Sequence, residues 1–522
     1  MSELAALERT YLAPGLPGAP IHREDSEWTP LVDGVEYLQA VDDEVSRTRS
    51  GDSLFVVGLQ LDPDVDLRGR ASDAPGHEPV GALLVAAAAR GVDVRVIIAG
   101  SVFTGGMPFR FGPFPDNLRT ATRLRGWPAP GADPGDPAPL AARVLLDWSG
   151  HRLGTNHQKA VVVTNADGLT AFVAGMDIAR HRFDGPPHDT MRLGDHPWGW
   201  HDAGQRIRGP AARAVWETIR ARWREATSLP ARPAWVPGQG VVALNPARPA
   251  TPPDPGPGPE TRPIASPGRS LQVMRSYGPW KRHPPSPFGR RRWAYLPERG
   301  VREIFATLAA AIDGARRFVY VEDQYFREYP GGDRRYELYG HLRDAAARGV
   351  RVLLVGSGVR RPDDVGDGPA NTRLPGDIAR KVVAPLDDRG RANVALYRIE
   401  GVTVHSKIVL VDDRFACLGS ANLFSRSMAG TDHELSVAVV DTGEAVRDLR
   451  VRLWSDHLRL DPRHPDVARD LGDLDVALGA WRSSWAGAHP RDAAWNAPDG
   501  DARRSGVSGA VLVGPPPAAA GP

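Results

Sequence analysis

An imidazole and an ammonium stand two residues apart twice in this chain, as His157 and Lys159 in NHQKAVVV and as His405 and Lys407 in VHSKIVLV. In extended backbone, residues two apart point to one face. Each pair therefore sets a group that can attack or carry a proton beside a positive charge, which is half of an anion site, present twice. The lysines stand out against their background: four of the 65 basic residues are lysine, at 159, 281, 381 and 407, and the other 61 are arginine. A position that keeps lysine in such a chain calls for a compact ammonium in place of a planar fork.

Something must bring the two pairs together, and a repeat supplies it. AAARGVDVRVIIAG (87–100) and AAARGVRVLLVGSG (345–358) match at an offset of 258 positions, and the His-x-Lys pairs at an offset of 248. Ahead of each copy, a helix-like segment (31–48 and 302–315) leads into an apolar strand, SLFVVGLQLD (53–62) and RFVYVEDQYF (317–326). Glycine closing a helix before a β-branched run gives β-α-β order, so the expected fold is α/β, two similar lobes, each a mixed sheet flanked by helices. The lobes are drawn at 1–227 and 271–485, with a Pro/Gly-rich linker at 228–270 and a tail at 486–522 that resists regular structure.

Past each lysine the chain continues in related ways. Asp412 follows Lys407 by five residues, and Gly419, Ser420 and Asn422 come after the DDR turn; the first copy supplies Gly175 and Asp177 after a longer NADG turn. Here the chain resembles the phospholipase D superfamily, whose paired H-x-K-x4-D motifs followed by G-[GS]-x-[ND] build one site between two similar lobes. Over about 30–460, TNHQKAVVV, GMDIARHRFD, WHDAGQRIRG, YVEDQYF and GSANLFSRSMAGTDHELSVAVVD look like segments of the eukaryotic-type members, in their order. One departure stands in the first motif, where Thr164 replaces the family's Asp.

The resemblance implies a pseudo-twofold and a metal-independent phosphodiesterase with no cofactor. In its mechanism one imidazole attacks phosphorus to give a phosphohistidine, and the other protonates the leaving alkoxide and then deprotonates water or an alcohol. It implies His157 as nucleophile and His405 as acid, with Lys159 and Lys407 on the phosphate oxygens. Asp202 and Glu434 would be the carboxylates on the second ring nitrogens, Asp177, Ser420, Asn422 and Gln324 would face substrate, and Asp412 would be a supporting carboxylate. The expected partner is a phospholipid at a membrane or micelle surface, acted on by a monomer.

Composition bounds these readings. A net charge of +2, from 65 basic and 63 acidic residues, gives no global field for nucleic acid, although WKRHPPSPFGRRRW (280–293) could hold phosphates, which leaves a nuclease as the alternative. The aromatic loop at 101–116 either packs as a small core or meets lipid. The single cysteine, Cys417, excludes an intrachain disulfide framework. Neither a signal sequence nor a membrane span is legible, so a cytoplasmic protein with peripheral membrane contact is the expectation. By the same token a cardiolipin-synthase role is disfavoured, and Thr164 raises a third reading, a weakened lipid-binding homologue.

Overall fold

The structure is a computed structural model that describes residues 2–100, 114–149, 154–189, 198–229, 233–236, 240–251, 261–278, 280–282, 293–295, 300–326, 333–357, 377–399, 401–423 and 425–482. The loop at 101–113, most of the basic stretch and the tail lie outside these residues.

Two sheets share one plan. The first contains β1 (Glu27–Val32), β2 (Ser53–Gly58), β3 (Asp93–Ala99), β4 (Val144–Asp147), β5 (Ala160–Asn165), β6 (Gly168–Ala174) and β7 (Ala203–Arg208), in the order β1-β7-β6-β5-β2-β3-β4. The second contains β8 (Arg269–Tyr277), β9 (Phe318–Glu322), β10 (Arg351–Ser357), β11 (Val394–Ile399), β12 (Ile408–Val411), β13 (Phe415–Gly419) and β14 (Glu434–Asp441), in the order β8-β14-β13-β12-β9-β10-β11. Each strand of one sheet thus has its counterpart seven places on in the other. Directions agree too: the first four pairings along each path are antiparallel and the last two parallel.

The helices follow the same plan. After β1 and β8 come α1 (Asp33–Ser46) and its counterpart Glu303–Gly314, and the AAARGV segments close α2 (Val80–Ala89) and its counterpart Tyr339–Ala347. Gly91 and Gly349 follow those helices at φ of 95° and 97°, the left-handed conformation that glycine adopts without strain. One apolar cluster lies between the sheets, around the helices Pro210–Thr227 and Ala445–His457, and each sheet buries its outer face under its own helices.

The halves are also tied by backbone. Gly199–His201 pairs in parallel with Val402–Val404, and Asn156 bridges His433. The N-terminal segment crosses over as well: Ile21–Arg23 pairs with β8, and Tyr11 Oη donates to Asp412 at 2.9 Å. Residues 3–23, counted with the N-terminal lobe in the sequence reading, therefore pack on the second sheet. Within the linker the chain forms a hairpin, Pro233–Val236 with Gly240–Ala243, and then Asn245 bonds both backbone groups of Leu146 along β4.

Candidate active site

The strands β5 and β12 begin one residue after Lys159 and Lys407, so both His-x-Lys pairs sit where backbone leaves one half to touch the other. His157 N donates to His433 O at 2.9 Å, and His405 N donates to His201 O at 2.8 Å. The residue after each acceptor is a carboxylate, and each reaches across. Asp202 Oδ2 lies 2.7 Å from His405 Nδ1, and Glu434 Oε2 lies 3.0 Å from His157 Nδ1. Each imidazole thus takes its carboxylate from the other half. With a carboxylate on Nδ1, that nitrogen holds the proton and Nε2 is the atom left to react.

Burial sets the electrostatics. It pushes Glu434 up to about 7, against hydrogen bonds from Ser420 Oγ (2.5 Å) and Ser427 Oγ (2.6 Å). Burial likewise holds His157 well below its ordinary value, helped by the charges of Lys159 and Lys407, and His405 well below, helped by Arg182 and Lys407. Both rings are neutral in the free site. Lys159 is 1% exposed; its Nζ donates to His157 O at 2.9 Å and lies 3.6 Å from Asp177 Oδ2. Lys407 Nζ donates to His405 O, and burial lowers Lys407 to about 8.

Several residues stand in other places than the sequence reading gave them. Ser420 was expected on the substrate, but its hydroxyl donates to Glu434 and accepts from Leu435 N at 3.0 Å, so it braces the carboxylate. Asp177 accepts from Leu59 N at 2.7 Å and Gln60 N at 3.1 Å and faces Lys159, so its role is to hold a lysine. Asp412 lies at the far end of β12 from Lys407 and takes the backbone N–H groups of Arg316, Arg317 and Phe318 at 2.7, 2.8 and 2.9 Å. It fastens a turn and does not support the site. In the other half, at the place of Thr164, Gly51 N donates to Gly91 O and Asp52 N to Arg49 O, so two of the three equivalent amides have backbone acceptors. Asn422 is buried with its Oδ1 unbonded among the described residues, and Gln324 is half-buried beside Asp323.

Sequence reasoning missed two groups. Arg182 is buried with its guanidinium 3.7 Å over the Trp200 ring, and Trp200 donates to Asp202 at 3.3 Å and lies 5.2 Å from the His405 ring. An arginine in an arginine-rich chain carries no signal of its own. Behind Asp202, four ligand atoms of Asp33, His188, His201 and Asp456 lie within 4.8 Å of one another and could hold a cation, with Asp33 Oδ2 buried and unbonded. His201 Nε2 meets Glu322 at 2.9 Å, the outward carboxylate that orients a ligating imidazole. This cluster is tied to the site through Asp202, whose backbone N donates to Asp33 Oδ1 at 3.2 Å.

A family model described as "Cardiolipin synthase, PLD-like domain" matches residues 308–456. Together with the relatives that follow, this match supports membership of the phospholipase D superfamily. It is 42% identical over 100 residues to phospholipase D B of Dictyostelium discoideum, covering 16% of this chain and 8% of that protein. It is 23% identical over 399 residues to phospholipase D1 of Schizosaccharomyces pombe (59% and 27%), and 27% identical over 300 residues to cardiolipin synthase A of Pseudomonas putida strain F1 (56% and 45%). The chain thus spans less than half the length of each of these relatives. No helix among the described residues is long and apolar enough to cross a membrane.

Proposed function

We propose that the chain is a phospholipase D-type phosphodiesterase that cleaves the headgroup phosphodiester of glycerophospholipids, or transfers the phosphatidyl group to an alcohol, through a phosphohistidine. The observation that carries this reading is the exchange of carboxylates: two neutral imidazoles, each with Nδ1 on a carboxylate of the other half and Nε2 left to react, each beside a buried lysine. A phosphodiester entering between them brings negative charge, which draws a proton onto one ring while the other stays neutral. His157 Nε2 then attacks phosphorus as the bond to the headgroup oxygen breaks, and His405 gives that oxygen its proton. Next His405 takes a proton from water or an alcohol, whose oxygen attacks phosphorus and frees His157. The two lysines carry the charge that gathers on the equatorial oxygens.

Lipid is favoured over nucleic acid by the names of the relatives and by the near-neutral net charge of +2. None of these steps needs a metal ion. The test is to offer phosphatidylcholine micelles and single-stranded DNA side by side in EDTA, with a brief pulse of phosphate-labelled lipid. The expected result is release of headgroup and label retained on denatured protein, absent in His157→Ala. Cleavage of DNA alone, or lipid turnover only after a divalent ion is added, would overturn the reading.

A further inference from the structure

The two halves place a buried carboxylate near the motif lysine's strand on different elements. In β5 and β12 the residues after the motif lysines, Ala160 and Ile408, pair with Val57 and Glu322, so Gly58 and Asp323 are equivalent strand ends. The same two residues pair with Val173 and Leu418, which makes Asp177 and Asn422 equivalent. In the N-terminal half the carboxylate stands at the second of these places, Asp177, and the first is glycine; a Cβ at Gly58 would come within 3.1 Å of Asp177 Oδ1. In the C-terminal half the arrangement is reversed. The second place is the uncharged Asn422, and the carboxylate is Asp323, 1% exposed.

Either carboxylate bonds the same strand ends together. Asp177 accepts the amides of Leu59 and Gln60. Asp323 accepts from Tyr325 N at 2.8 Å and from Leu423 N at 2.6 Å, the residue after Asn422. After Asp202, Asp323 is the carboxylate whose charge acts most strongly on Lys407. We propose that Asp323 is the positioning residue of Lys407, filling from the end of β9 the role that Asp177 fills for Lys159 from the end of β6. The inference rests on the phosphodiesterase reading for its link to turnover.

A relocated charge is tested by moving it. Asp323→Asn, Asn422→Asp and the double variant are compared with the parent in kcat and KM on phosphatidylcholine micelles, in affinity for inorganic phosphate by calorimetry, and in thermal midpoint. Asp323→Asn is expected to lower kcat about tenfold or more, as for a displaced oxyanion donor, and to weaken phosphate binding. Asn422→Asp alone, with two carboxylates on one lysine, also lowers kcat. The double variant, which carries its carboxylate where the other half carries Asp177, recovers most of both losses, a coupling that two independent lesions do not show. If Asp323→Asn keeps kcat and phosphate affinity within about twofold of the parent while only its midpoint falls, Asp323 merely fastens strand ends and the proposal is overturned. Failure of the double variant to recover overturns it too. A parent that turns over no phosphatidylcholine refutes the substrate reading instead, and the phosphate titration then decides the role of Asp323 by itself.

Discussion

Lys407 and Lys159 are the residues on which the chemistry turns most sharply. Lys407 is 5% exposed, and the backbone of Gly175 runs so close that a Cβ there would lie 3.2 Å from Lys407 Cδ. A guanidinium is wider than an ammonium, so Lys407→Arg keeps the charge and loses the alignment. The expected cost is about 10² to 10³ in kcat, the scale of one lost oxyanion donor. Lys381→Arg, at a half-exposed pair with Glu337, is the control expected to stay near the parent rate. The pH profile belongs to this scale as well. Glu434 at about 7 must be ionised to accept from His157 Nδ1, and Lys407 at about 8 must be protonated to hold phosphate. Turnover should therefore be bell-shaped with a narrow optimum between those limbs, and Glu434→Gln should remove the acidic one. For stability the sign is opposite. A carboxyl raised above its unfolded value stabilises below that value, and its contribution is lost as pH rises towards about 7, so the thermal midpoint should fall over that range while activity climbs.

At the scale of the strand, Asp412 and Thr164 show how one motif position can do different work in two copies. Asp412 serves three backbone donors, so Asp412→Ala leaves buried amides without an acceptor and should lower stability by about 1–3 kcal/mol. The kcat per folded molecule is expected to stay within about twofold, since the group lies at the end of β12 away from Lys407. Thr164→Asp should gain nothing in rate, because two of the three equivalent amides in its half are already bonded to backbone. The repeat made the strands and the two His-x-Lys pairs legible, since periodicity and matched segments are local properties. Asp323, Ser420 and the Asp33–His188–His201–Asp456 cluster were not legible in their present roles, because each depends on which distant backbone arrives beside it. Asp33 and Asp456 lie more than four hundred residues apart and meet only in the fold.

The whole molecule is one site shared by two halves. Glu434→Gln changes the second half but should disable His157 in the first, with kcat lowered by about 10² to 10⁴ and label retention lost in the pulse experiment. Gly175→Ala is expected to act similarly from the other side, because its Cβ would meet Asp202 Oδ1 at 2.5 Å and disturb His405.

The crossing of Ile21–Arg23 onto β8 bears on the order of events at the ribosome. That strand is made before its partner Arg269–Tyr277, which follows some 250 residues later; at about 5–20 residues per second that is tens of seconds of synthesis. His157 waits longer still for Glu434. A nascent chain halted after the first sheet would expose an unpaired strand and hold a histidine without its orienting carboxylate, so it would be sticky but chemically idle. On the proposed function, the shared site is complete only when the last strand of the second sheet is in place, so neither half can cleave a phosphodiester by itself.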